Sequence, residues 1–309
     1  SSAASDVYKR QAQHRVAGVE FTGGIFTNLT HDHLDYHSSF DEYRDAKKKF
    51  FDELPVNAFA LSNADDRNGR VMLQNTRGSK HYYGLKNMAA YRGRILENRF
   101  DGMQLSIEGM DAWFSLVGAF NAYNLLAVYA AAMLLGAPKD RIITTLSGLN
   151  PVEGRFDHFV SPGGVTAIVD YAHTPDALAT ALRALRPHVM GRLVVVFGAG
   201  GDRDRAKRPL MGQAAAAHAD VVYVTDDNPR TEDPAAIRAE IMQGCPAARE
   251  VGDRAEAILR AVDALQPGDA ALIAGKGHET GQIVGEDRLP FDDAEQASVA
   301  VAALDGRPA

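Results

Sequence analysis

Four short apolar runs separated by helical patterns constrain this chain more than any other feature. The runs are 165–171, 192–197, 220–225 and 270–274, and the helix signals fall at 175–186, 209–219, 234–243 and 253–265. Thr174 precedes Pro175 and Asp233 precedes Pro234, the order of a capping side chain and a first-turn proline. Buried strands alternating with helices predict a mostly parallel sheet with helices on both faces. Ligands of such sheets sit beyond the carboxyl ends of the strands. The run 220–225 ends in Asp226-Asp227-Asn228-Pro229-Arg230, a turn in which an arginine offers a planar fork of donors to a carboxylate. Taken alone, the turn reads equally well as a plain loop.

The N-terminal half is less regular. It shows a strand at 24–28, a helix at 39–53 and a strand at 57–63 that ends in Asn63-Ala64-Asp65-Asp66. Short strands follow near 80–85, 91–97 and 103–108, then helices at 120–135 and 139–147. This block looks like the second half of an α/β domain. The length of 309 residues suggests two domains, which we divide as 12–153 and 154–309. Residues 1–11 (SSAASDVYKRQ) have no methionine and no periodicity. They read as a non-native leader, so the expectation is that native sequence begins near Ala12 and continues upstream.

A net charge of −7 argues against a general nucleic-acid binder. The single cysteine, Cys245, excludes an intrachain disulfide and fits a reducing cytoplasm; we read it as a small residue at a helix end. No apolar run approaches the roughly 20 residues of a membrane span, and the first twenty residues make no signal peptide.

Several segments carry candidate chemistry. Three histidines (His31, His33, His37) and two acids (Asp32, Asp35) in seven residues could form a metal or phosphate site, or a polar surface turn. Asn121 and Asn124 share a helix face, where amides could read the edge of adenine or merely cap a helix. Gly198-Ala199-Gly200-Gly201 suggests a dinucleotide loop, but the fingerprint needs glycine where Arg203 stands, which argues against a nicotinamide enzyme.

Taken together, the motifs resemble the Mur ligase family, in particular its diaminopimelate-adding MurE branch. The segment Thr27-Asn28-Leu29 to His37, with Lys47 ten residues on, is similar to the family's central domain. Gly118-Ala-Phe-Asn121-Ala-Tyr-Asn124, Gly154-Arg155-Phe156-Asp157 and Asp170-Tyr171-Ala-His173-Thr-Pro-Asp176 follow in family order. Gly201-Asp202-Arg203-Asp204 with Lys207-Arg208-Pro209, then Asp227-Asn228-Pro229-Arg230, then Gly275-Lys276-Gly277-His278-Glu279 complete the set. The match spans roughly residues 12–305.

The resemblance implies an α/β fold: part of a Mur-ligase central ATPase domain followed by a Rossmann-like C-terminal ligase domain. It implies a cytoplasmic, monomeric enzyme that uses ATP and Mg²⁺ to join meso-diaminopimelate to UDP-MurNAc-L-Ala-D-Glu through an acyl phosphate. By resemblance, His33 and a carbamylated Lys47 hold Mg²⁺, and Lys47, His33 and Arg155 serve catalysis. Asn121, Asn124, Arg155, Asp170, Tyr171 and His173 bind ATP, with Arg155 reaching its phosphates from the domain junction. Arg15 contacts the sugar-peptide. Arg203, Asp227, Asn228, Pro229, Arg230, Gly275 and Glu279 contact the incoming amino acid.

The chain departs from the pattern in three places, one being that Ser5 to Tyr8 and their neighbours do not match the family's Ser-Ser-His-like segment. No Gly-x-x-x-x-Gly-Lys-[Ser/Thr] loop occurs in the 309 residues, and no segment matches the UDP-sugar domain. The expectation is that this stretch alone does not ligate. Two other readings remain: a Mur-type or folylpolyglutamate ligase for a different amino acid, and a non-catalytic relative that binds an amino acid or nucleotide.

Overall fold

The computed structural model describes residues 18–29 and 40–305. The chain divides into two compact units, Ser1–Asn150 and Pro151–Ala309.

The first unit is built on a six-stranded sheet with its strands in chain order. They are β1 (Gly23–Phe26), β2 (Phe59–Asn63), β3 (Ser79–Gly84), β4 (Tyr91–Arg99), β5 (Gly102–Ile107) and β6 (Met110–Phe114). Pairing is parallel from β1 to β4 and antiparallel from β4 to β6. The helices are α1 (Phe40–Asp52), α2 (Gly69–Met72), α3 (Ala119–Leu134) and α4 (Lys139–Ser147). Side chains alternate across a strand, so neighbours on β2 enter different cores. Ala60 joins Phe26, Tyr43, Phe51 and Met72, whereas Leu61 joins Tyr83, Ile107 and the α3 residues Leu126 and Tyr129.

The acidic turn after β2 is a junction. The Asp65 carboxylate accepts from the backbone N–H groups of Leu85, Lys86 and Asn87 and from the Tyr123 hydroxyl. Burial pushes the Asp65 carboxyl up, but the backbone donors outweigh it and hold it below the usual carboxylate range.

In the second unit the strands are β7 (Arg155–Val160), β8 (Thr166–Asp170), β9 (Leu193–Phe197), β10 (Val221–Val224), β11 (Arg249–Glu250) and β12 (Ala270–Ala274). Their order is β11-β10-β9-β12-β8-β7, all parallel except the edge strand β7. The helices are α5 (Pro175–Leu185), α6 (Lys207–His218), α7 (Pro234–Met242), α8 (Arg254–Asp263) and α9 (Asp293–Asp305). Every residue of β8, β9 and β12 is buried, as a sheet covered on both faces requires. Val194, Val196 and Ile273 pack with Ala261 and Val262 of α8 and with Ala297 and Val301 of α9. The chain steps outward from β9 to β10 to β11, then returns to place β12 on the other side of β9. That reversal opens a crevice at the carboxyl edge of the sheet.

The alternation of strands and helices holds as read, and Thr174 and Asp233 cap α5 and α7 by accepting from Ala177 N and Ala235 N. The structure adds elements the pattern did not announce: β6, β7, β11, α2, α9 and a hairpin of β13 (Gly281–Val284) and β14 (Asp287–Pro290). Helix α6 begins at Lys207 rather than at 209, because Pro209 is tolerated inside a first turn. No described helix is long and apolar enough to cross a membrane.

Candidate functional site

Four loops of the second unit leave the carboxyl ends of β8, β9, β10 and β12. The loops after β10 and β12 interlock at Asn228. Its backbone N–H donates to Asp227 Oδ1 (2.7 Å), and its Nδ2 donates to Glu279 Oε2 (2.9 Å). Its Oδ1 accepts from Lys276 Nζ (3.0 Å) and from Ile283 N (2.9 Å). Lys276 is wholly buried, and its ammonium also lies 3.3 Å from Glu279 Oε2. Gly275 makes this approach possible. It has φ +120°, and an added Cβ would stand 2.8 Å from Asp227 Oδ2.

Arg230 occupies the left-handed region, at φ +53°. One end of its guanidinium, Nη1, donates to the carbonyls of Gly201 (2.8 Å) and Asn228 (3.3 Å). Backbone bonds from Arg230 N to Ile283 O and from Gly285 N to Arg230 O stitch the turn to the hairpin, and Gln282 Nε2 donates to Asp227 O. Pro229 turns its carbonyl toward Gly201. Arg203, in the loop after β9, is exposed and donates to its neighbour Asp202 O.

Beside this cluster lies a ring platform. The Tyr171 ring centroid is 4.6 Å from that of His173 and 5.5 Å from that of His278, and the Arg155 guanidinium sits 4.6 Å over it. Burial, and then the negative charge of Glu279, raise the Tyr171 hydroxyl above its usual range. Asp170 is buried, and its two oxygens accept from Ala172 N (2.9 Å) and Phe156 N (3.2 Å). Burial lifts its carboxyl to about 6 despite the pull of Arg155. The structure thus gives Asp170 a strand-end turn to hold.

In the first unit, Asn121 and Asn124 lie on one face of α3, joined by a bond from Asn124 Nδ2 to Asn121 Oδ1 (3.1 Å). Asn121 Nδ2 donates back to Val117 O (2.8 Å). Lys47, half-buried on α1, holds its ammonium 5.0 Å from the centroid of the Tyr43 ring. Arg15 and His33 lie outside the described residues.

Two family models match: the Mur ligase middle domain over residues 7–132, and the glutamate ligase domain of Mur ligases over residues 154–277. The chain belongs to the Mur ligase family. It is 48% identical over 291 residues to the UDP-N-acetylmuramoyl-L-alanyl-D-glutamate–2,6-diaminopimelate ligase of Bacteroides thetaiotaomicron, covering 92% of this chain and 60% of that protein. It is 47% identical over 305 residues to the enzyme of that name from Alkalilimnicola ehrlichii, covering 95% and 61%. A solved structure of such a ligase superposes with a TM-score of 0.61 at 35% identity, covering 97% of this chain and 64% of the other. A pseudomurein peptide ligase from Methanothermus fervidus, at 19% identity and TM-score 0.69, shares the fold. This Mur ligase chain spans about three-fifths of the length of the curated relatives it matches.

The structure brings together the expected residues Asp227, Asn228, Pro229, Arg230, Gly275 and Glu279, and separately Arg155, Asp170, Tyr171 and His173. It also adds cations that had no role in the sequence reading. Besides Lys276, these are Arg208, buried against Glu232 and Glu240, and Arg254, buried against Asp293. Only the flanking strand signal before Gly275 hinted that Lys276 would be buried. Arg254 and Asp293 are 39 residues apart, too far for any local pattern to pair them.

Proposed function

We propose that these units belong to an ATP-dependent ligase that adds meso-diaminopimelate to UDP-MurNAc-L-Ala-D-Glu in the cytoplasm, acting as a monomer. The observation that carries the reading is the cluster around Asn228. It sets two carboxylates, Asp227 and Glu279, beside Arg230 at the crevice of a doubly wound sheet. Carboxylates receive an ammonium, and the guanidinium atoms of Arg230 that make no bond to the described residues suit a carboxylate. An amino acid with a second ammonium–carboxylate end fits that pair.

The reaction joins a carboxylate of the sugar-peptide to an amine. ATP converts the carboxylate to an acyl phosphate; the amine attacks its carbonyl carbon, the C–O bond to phosphate breaks, and the amine loses a proton. Such transfers depend chiefly on positioning and charge stabilisation. In this reading the amides of Asn121 and Asn124 meet the adenine. Arg155 supplies positive charge to the phosphates, and Tyr171, His173 and Asp170 border the nucleotide. Asp227, Asn228, Arg230, Gly275 and Glu279, with Arg203, hold the amino acid so that its other amine faces the acyl phosphate.

Mg²⁺ needs oxygen donors. The described residues contain no cluster of three acidic, histidine or cysteine side chains suited to a metal, and Lys47 as it stands is a cation over Tyr43. These residues alone do not make the metal site. The assignment of His33 and carbamylated Lys47 rests on the family pattern, and intact mass of protein prepared in bicarbonate tests the second.

The experiment is an ADP-release assay on a chain in which these units accompany a phosphate-binding loop. It is supplied with ATP, Mg²⁺, UDP-MurNAc-L-Ala-D-Glu and either meso-diaminopimelate or lysine. We expect diaminopimelate-dependent ADP release and a product heavier by one residue. Equal use of lysine overturns the substrate; no amino-acid dependence overturns the ligase. The 309 residues by themselves, without a Gly-x-x-x-x-Gly-Lys-[Ser/Thr] loop, are expected to be inactive.

A further inference from the structure

Resting on the ligase reading above, we propose that Lys276 is a positioning residue whose buried ammonium balances the charge around Asn228 and thereby tunes the site to a zwitterionic end of the amino acid. Four charged side chains surround that asparagine: Asp227, Glu279, Lys276 and Arg230. They sum to zero. A ligand end bearing one ammonium and one carboxylate leaves the sum at zero, whereas an end bearing only an ammonium leaves an uncompensated positive charge in a partly desolvated pocket, which is costly.

Lys276 has a second effect, through the asparagine. An amide can present either its oxygen or its nitrogen to a neighbour. Here Lys276 Nζ and Ile283 N, both donors, claim Oδ1. The amide nitrogen must then face Glu279, where it donates to Oε2. Lys276 and Asn228 thus hold the same oxygen of Glu279, which leaves Oε1 for a ligand ammonium. No ligand needs to touch Lys276, which is fully enclosed.

Removing the charge makes the cluster net negative, which favours a lone cation. In the complete ligase, Lys276→Met is expected to lower the kcat/KM ratio of diaminopimelate over lysine roughly tenfold. The KM for ATP and for the sugar-peptide should stay at wild-type values. A lysine that merely filled space would, on removal, lower the thermal midpoint and leave the ratio unchanged. Lys276→Gln, which keeps an N–H donor without the charge, covers the case in which the methionine variant does not fold, and should shift the ratio in the same direction. An unchanged ratio in a folded variant overturns the role of Lys276 and leaves the ligase reading intact. Failure of the wild type to use diaminopimelate overturns both.

Discussion

At the scale of single residues, Arg230 and Asp170 yield the sharpest tests. Arg230 spends one guanidinium nitrogen on backbone carbonyls, and its other guanidinium atoms make no bond to the described residues. On the proposed reading, Arg230→Ala removes the partner of the ligand carboxylate. We expect kcat/KM for diaminopimelate to fall by about tenfold or more with much less change for lysine, measured side by side. Asp170 bears on pH. Its folded pKa, about 6, lies above the ordinary value of 3.8 because burial disfavours the charge. A raised acid contributes stability below pH 4 and loses it as pH climbs through 6, by roughly 3 kcal/mol. Relative to Asp170→Asn, the wild type should therefore weaken between pH 4 and 7, as read from urea midpoints; a pH-independent difference would refute this. The sequence showed Asp170 at a strand end, where a bond to Ala172 two residues on is local, but not its bond to Phe156, which depends on β7 folding back beside β8.

At the scale of elements, the pair Arg254–Asp293 joins the starts of α8 and α9. Both side chains are fully buried. Arg254 also donates to Ala274 O (3.0 Å) and Asp226 O (3.4 Å), the carbonyls just ahead of the two site loops. Asp293→Ala strands a buried cation and should destabilise the second unit by ~3–5 kcal/mol. Arg254→Met with Asp293→Leu should recover most of that loss. Denaturant titration of the three proteins decides it, and an equal loss in both variants would contradict the pairing. The legibility of elements follows the same logic. Strands β8, β9, β10 and β12 were visible because burial on both faces makes them continuously apolar. Edge strand β7, with exposed His158 and Val160, and hairpin strand β14, exposed throughout, carry no such signal. Helix α9 was missed because alanine and valine fill both its buried and exposed positions.

At the scale of the whole molecule, each unit has its own hydrophobic cores, so unfolding is divisible. Scanning calorimetry is expected to resolve two transitions, of which meso-diaminopimelate raises only that of the second unit, by mass action. A single transition, or a shift in both, would show that the units do not melt independently. The second unit was the more legible of the two. Its helices and strands alternate, and four motifs fall on the carboxyl-end loops of β8, β9, β10 and β12. The first unit mixes parallel and antiparallel pairing, and its key acid, Asp65, acts through backbone groups of 85–87 that no side-chain motif marks.

Gly275 has a consequence for inhibition. With φ +120° and Asp227 Oδ2 only 2.8 Å from where a Cβ would go, a side chain there would strain the backbone and press on the Asp227 carboxylate. A small molecule that rests against this bare stretch of backbone thus leans on a surface the gene is not free to edit. Resistance by point mutation would have to arise at other positions.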